Sequence, residues 1–301
     1  MDIFHTYIQP RRTYESELYR MDEELLIHIR KLTINHHPSH YCRSTRFENF
    51  VLPNLKTVDL RSPLFSSLSD RFHSDPPKWR GSESRSRCKL LAKLRPKTVI
   101  IRDMNCDDLD FMPPDTCRTM WENVENVIFT LPSIYARKNT DLRSCGLAVY
   151  PNFKKIYWMY DPTSTVEYPD RYPYDLELED DKDLNDWAIT EVTLSHPHCD
   201  IIIVNVESTR TKEDSGPSSS EQFQKDEEEI FRADIAYRCR ADADLPESDI
   251  KGEEAIKKRL DTIRFITLDE FIEKEDWFDW FDPKELESWN KAMDGKVGTL
   301  Q

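Results

Sequence analysis

Leu52-Pro53-Asn54-Leu55-Lys56-Thr57-Val58-Asp59-Leu60 is the stretch whose reading decides the fold. Its apolar residues fall at i, i+3, i+6 and i+8. The last two alternate with polar neighbours, as in a strand, and the first two form a spaced lead-in. The same skeleton recurs at Trp121, Val124, Val127 and Phe129, and again at Tyr150, Phe153, Ile156 and Trp158. Two further runs, Ile29–Ile34 and Lys97–Arg102, read as strands of the same kind.

Such a skeleton is that of a leucine-rich-repeat strand. With Leu32, Val58, Val99, Val127 and Ile156 taken as equivalent, the intervals are 26, 41, 28 and 29 residues. Three of these lie in or near the range of about 20–29 for such repeats. Ile201–Val206 is a β-branched run apolar on both faces, which suits a buried parallel sheet, and Thr262–Thr267 is a shorter strand.

Helical signals fill the intervals. Tyr14–Ile29 carries Leu18, Met21, Leu25 and Ile29 on one face. Ser84–Leu94, Ile230–Tyr237 and Glu253–Leu260 read as helical too. Thr267-Leu268-Asp269-Glu270 is a capping box, and Asp282-Pro283-Lys284-Glu285 repeats that logic with Pro283 at the first helical position. Alternating strands and helices predict an α/β protein with a mainly parallel sheet, either an irregular leucine-rich-repeat-like array or an open Rossmann-like sheet. A single domain over residues 1–301 is expected. It carries an acidic insertion loop at 161–190, a disordered loop at 208–229 and a C-terminal helical cap at 268–301.

Composition narrows the function. The chain has 301 residues, a net charge of −15 and only six glycines. Those glycines, at 81, 146, 216, 252, 295 and 298, cannot form a dinucleotide or P-loop fingerprint or a nucleophile elbow. The acidic total argues against nucleic acid and anionic membrane. The charge is uneven: residues 1–100 hold 18 Lys and Arg against 11 Asp and Glu, a net of +7, while the remainder carries −22. The acidic insertion alone holds 10 acids against 2 bases.

Seven cysteines, none in a C-x-x-C pair, and an N-terminus without an apolar core point to an intracellular protein, cytoplasmic or nuclear, with reduced thiols. No stretch approaches the 18 apolar residues a membrane span needs.

Few side chains stand out as a site. His36, His37, His40 and Cys42 lie within seven residues and offer zinc-type ligands, and His196-Pro197-His198-Cys199 forms a second cluster. A loop with polar His and a buried Cys explains the first better than zinc does, and a turn capped by Pro197 explains the second. No cofactor is expected, and no catalytic residue is assigned. Trp277-Phe278-Asp279-Trp280-Phe281 is the most aromatic stretch; it either seals the end of the core or docks a partner.

The Leu52–Leu60 and Tyr150–Ile156 stretches resemble the strands of fungal proteins of the F-box/leucine-rich-repeat type, over about residues 25–160. Asp22-Glu23-Glu24-Leu25-Leu26-Ile27-His28-Ile29 is similar to the opening of an F-box helix, and Thr33-Ile34-Asn35-His36-His37-Pro38 departs from it. That resemblance implies a repeat surface that holds a client protein, and through an F-box a link to a ubiquitin-ligase scaffold. The leading expectation is therefore a non-enzymatic interaction module. Lys56, Arg102 and Lys154 at the strands, with Trp277 and Trp280, are the candidate contacts. The alternative is an enzyme with a Rossmann-like sheet that uses carboxylates such as Asp103 and Asp161 at strand ends.

Overall fold

Runs of Val, Ile and Thr resist helix because their branched Cβ crowds the preceding turn, and they pack well on a pleated sheet. In the computed structural model they become eight strands: β1 Phe4–Ile8, β2 Ile29–Ile34, β3 Thr57–Arg61, β4 Thr98–Arg102, β5 Asn126–Pro132, β6 Lys155–Asp161, β7 Asp200–Val204 and β8 Ile263–Ile266. Among the described residues four α-helices follow late in the chain: α1 Ser220–Asp242, α2 Glu253–Leu260, α3 Leu268–Lys274 and α4 Pro283–Thr299. The structure describes residues 4–8, 26–34, 51–61, 91–102, 120–132, 152–163, 193–194, 196–209, 220–242 and 252–299.

The expected α/β class with parallel strands is what the structure shows. Where one domain is expected, the chain groups into two compact units. One comprises Met1–Glu125 with Ser144–Asn152, the other Asn126–Arg143 with Phe153–Gln301.

In the first unit β1 to β4 run parallel in sequence order. The register pairs Leu32 with Val58 and Val58 with Val99, as the repeat intervals require. A short turn precedes β3, β4 and β5. Leu55 N–H donates to Leu52 O at 3.2 Å, Leu94 to Leu91 at 3.1 Å and Val124 to Trp121 at 3.1 Å. Both apolar members of each turn are buried with the strand residues that follow, so the lead-in is part of the core. Asn54 and Asn152 stand at the same place in their turns. Each donates through Nδ2 to the turn before it, Asn54 to Ile27 O at 2.5 Å and Asn152 to Glu122 O at 2.7 Å.

The second unit repeats the arrangement with β5 to β8, again parallel and in sequence order. Val127 pairs with Ile156, Ile156 with Ile201 and Ile201 with Ile263. Helix α1 presents Phe231, Ile235, Ala236 and Cys239 as its buried stripe, and Phe231 meets Phe265 of β8 edge-on at 5.5 Å. The capping box is formed: Glu270 N–H donates to Thr267 Oγ1 and Thr267 N–H to Glu270 Oε2, both at 3.1 Å. Helix α4 starts at Pro283 and buries Leu286 and Trp289, the latter against Phe281.

Two expectations change and one holds. Residues 220–229, expected within a disordered loop, form the first half of α1. Their low hydrophobicity hides a helix held by i,i+4 pairs such as Gln222 to Asp226 and Arg232 to Glu228. Ile29–Ile34, expected as a strand, is β2. A strand at Phe4–Ile8 precedes the first one read from the sequence. Residues 161–190 lie outside the described residues apart from 161–163, as do most of the Tyr14–Ile29 and Ser84–Leu94 stretches.

Candidate functional site

A parallel strand points alternate residues to opposite faces. In the first unit one face carries Leu32, Ile34, Val58, Leu60, Val99 and Ile101, all buried. The other face is polar and equally buried. There Asp59, with no exposed surface, accepts from Arg102 Nε at 2.7 Å and pairs with Lys31 Nζ at 3.4 Å. Arg102 is therefore a structural counter-ion and is not presented to solvent, which corrects its place among the exposed contacts. Two cations around one buried carboxylate neutralise a charge that burial alone would penalise heavily.

Both faces of β2 to β4 are covered, and among the described residues of the first unit the exposed side chains lie at the strand entry edge, where the turns are. The backbone ladder sets this edge. Lys56 N–H donates to Arg30 O at 2.8 Å, Lys97 N–H to Lys56 O at 2.8 Å and Glu125 N–H to Lys97 O at 2.8 Å. Neighbouring strands are about 4.8 Å apart, so Arg30, Lys56 and Lys97 stand as successive rungs. Lys56 and Lys97 are exposed, and so are Lys93 and Arg95 in the turn between them. Lys97 pairs with Glu125, and Arg95 donates to Ala92 O and Leu94 O. Two aliphatic side chains share the edge, Ile27 at 46% exposure and Val51 at 62%. Of this group the sequence reading singled out Lys56 alone. The signal that finds the rest is their shared place in the lead-in turns.

In the second unit Lys154 is exposed beside β6, and Trp277 is half-buried. Trp277 Nε1 donates to Ile272 O at 2.9 Å, and its ring stacks on the exposed Phe278 at 4.0 Å. Trp280 is buried against Tyr157 at 5.2 Å and Phe271 at 6.2 Å, so it belongs to the core and is withdrawn as a contact. Next to it Glu275 accepts from Lys155 Nζ and Tyr157 OH, both at 2.7 Å, with Arg264 at 3.4 Å. Burial pushes the Glu275 carboxyl up, but those two hydrogen bonds outweigh it and leave the group below its ordinary value. Burial and the bond to Glu275 push the Tyr157 phenol far up, so it stays a donor.

At the exit end of β7 the backbone turns sharply. Asn205, fully buried, has φ of 65°. Its N–H donates to Ile266 O at 3.0 Å and its Nδ2 to Tyr160 O at 2.8 Å, while its Oδ1 has no partner. Asn tolerates this left-handed conformation better than most residues. Two residues on, burial and then the neighbouring Asp269 and Glu270 raise the Glu207 carboxyl to about 7, and its Oε2 is also without a partner. Asp161, the expected strand-end carboxylate, accepts from Thr163 N–H and Oγ1 at 2.7 Å. Asp103 lies outside the described residues.

Of the two metal-type clusters only the second is described. His36, His37, His40 and Cys42 lie outside the described residues. His196 is buried and stacks on Phe153 at 5.3 Å, and Cys199 Sγ donates to Phe153 O at 2.8 Å. Burial pushes the Cys199 thiol up to about 11, which keeps it protonated and unreactive. Among the described residues no group of three or more His, Cys, Asp or Glu is placed to hold a metal. Nor is any described helix long and apolar enough to cross a membrane.

No protein-family model, curated protein or solved structure matches the chain.

Proposed function

We propose that the chain is a non-enzymatic protein–protein interaction module, built on a leucine-rich-repeat-like parallel array and working inside the cell. One observation carries this reading. The lead-in turns bring exposed basic and aliphatic side chains into register along one edge, while both strand faces of the same unit are buried. A surface made by repetition suits an extended partner. An adaptor role of F-box type would add a ligase scaffold to the partners; the strand at Ile29–Ile34, where an F-box would need further helix, weighs against it.

Affinity capture of the full chain from its source cells, with quantitative mass spectrometry and reciprocal capture, tests the reading. One partner recovered at near-equal molar ratio in both directions is the expected result. Recovery of the chain alone, repeatedly, would overturn it. Ligase scaffold subunits among the partners would bring back the F-box role.

A second reading, an enzyme with carboxylates at strand ends, is favoured by the raised Glu207 beside the left-handed Asn205. It predicts that some metabolite in a thermal-shift panel raises the melting temperature and that Glu207→Gln abolishes the shift. A panel without a response counts against it.

A further inference from the structure

The entry edge of the first unit has a definite chemistry. Among the described residues, Arg30, Lys56, Lys93, Arg95 and Lys97 stand there beside two carboxylates, Glu122 and Glu125; Lys97 pairs with Glu125, and Lys56 and Glu122 have interactions of their own. Among the described residues of this edge basic groups outnumber acidic ones five to two, in a chain whose total is −15. The excess is held in place by the ladder, because each of Arg30, Lys56 and Lys97 has a backbone carbonyl bonded to the next rung. The edge is also not uniformly polar, since Ile27 and Val51 stand exposed in neighbouring turns.

Resting on the interaction-module reading, we propose that this edge docks an acidic, extended segment of a protein partner, with an aliphatic residue of that segment set against Ile27 and Val51. Charge complementarity selects the acidic class and speeds the encounter. The long, flexible Lys and Arg stems on neighbouring rungs reach carboxylates that stand about 7 Å apart on one side of an extended peptide lying across the turns. Single-stranded nucleic acid fits less well. Its bases need aromatic platforms, and the exposed apolar groups here are aliphatic.

Fluorescence anisotropy on the full chain tests this directly. The probe is a labelled twelve-residue peptide of alternating Glu and Leu. Its Lys-for-Glu counterpart and a single-stranded RNA of equal length serve as comparison probes. The acidic peptide should bind, and more weakly as salt rises. Lys56→Glu with Lys93→Glu should weaken it by about tenfold or more, because like charges face each other across the contact. Lys258→Glu, on the exposed side of α2 in the other unit, should leave affinity unchanged. Should the charge reversal disturb folding, Ile27→Ser with Val51→Ser removes the apolar seat and should also weaken binding.

Equal affinity in all variants overturns the proposal, and so does tighter binding of the RNA. A captured partner retained in full by the Lys56→Glu, Lys93→Glu chain overturns the edge assignment alone and leaves the module reading standing.

Discussion

The turns of the two units share one geometry and differ in chemistry. In the first unit the turn residues are Leu52 and Leu55, Leu91 and Leu94, Trp121 and Val124. In the second the same bond, from N–H of the fourth residue to C=O of the first, joins Cys199 to His196 and Thr262 to Arg259, each at 3.1 Å. There the buried first position holds an imidazole and a guanidinium in place of leucine. Arg259 makes up for its charge by stitching backbone: Nε donates to Thr193 O at 3.0 Å, and Nη1 to Cys199 O at 2.6 Å and Thr262 Oγ1 at 2.7 Å. Burial still lowers its pKa to about 10. A repeated backbone turn can thus be secured by apolar packing or by a buried cation that binds carbonyls.

The sharpest way to break this comparison lies in the first unit, whose polar strand face depends on one carboxylate. Asp59→Ala leaves Lys31 and Arg102 buried without their shared counter-ion. Loss of one member of a buried ion pair costs about 3–5 kcal/mol. Urea unfolding should show that loss, with hydrogen exchange reporting early opening of β2 to β4. A cost under about 1 kcal/mol would mean that the cluster is not a structural element.

In the second unit Arg259→Leu restores the apolar turn chemistry of the first. If packing alone secured the turn, the change would be neutral. It should instead destabilise by about 1–3 kcal/mol, because the carbonyls of Thr193 and Cys199 lose their buried donor. Amide exchange at Cys199 and Thr262 should rise most.

Acidity separates a third case. The Glu207 carboxyl is raised from 4.5 to about 7 in the folded chain, so the fold holds a proton that the unfolded chain has lost. Its contribution to stability is therefore greatest below about pH 4.5, falls between there and pH 7, and is flat above. The size is on the order of 3 kcal/mol. Glu207→Gln should remove this slope, so that the variant gains on the parent between pH 5 and pH 8 in urea unfolding. Glu275 works in the opposite sense: with its pKa lowered, its stabilising effect is lost only as the pH falls into the acid range.

Leu52, Leu55, Val58 and Leu60 announced their positions in the sequence because apolar packing imposes a spacing. The registers of Leu32, Val58 and Val99 follow from it. His196 and Arg259 could not be read in this way, since a polar residue shows no periodicity until its carbonyl partners are placed. Arg102 misled for a related reason. On an alternating strand it reads as solvent-facing, and only the pairing of β3 with β4 sets it on Asp59. Trp280 looked like a docking aromatic, but a ring that size is as readily core, and here it lies on Tyr157. The basic edge was half-legible: the +7 of the first hundred residues was visible, yet its convergence on one edge depends on the ladder.

The smallest effects test whether the first unit is tied by more than packing. Asn54 and Asn152 each reach back to the preceding turn, to Ile27 O and Glu122 O, from exposed positions. Water can replace an exposed donor, so Asn54→Ala or Asn152→Ala should cost about 0.5–1.5 kcal/mol each. The two ties share no partner, and their costs should add to within about 0.5 kcal/mol in the double variant. A double variant much less stable than the sum would show that the ties act together through the array. Two neutral single variants would leave apolar packing as the sole fastening of these turns, and the contrast with Arg259 would then be complete.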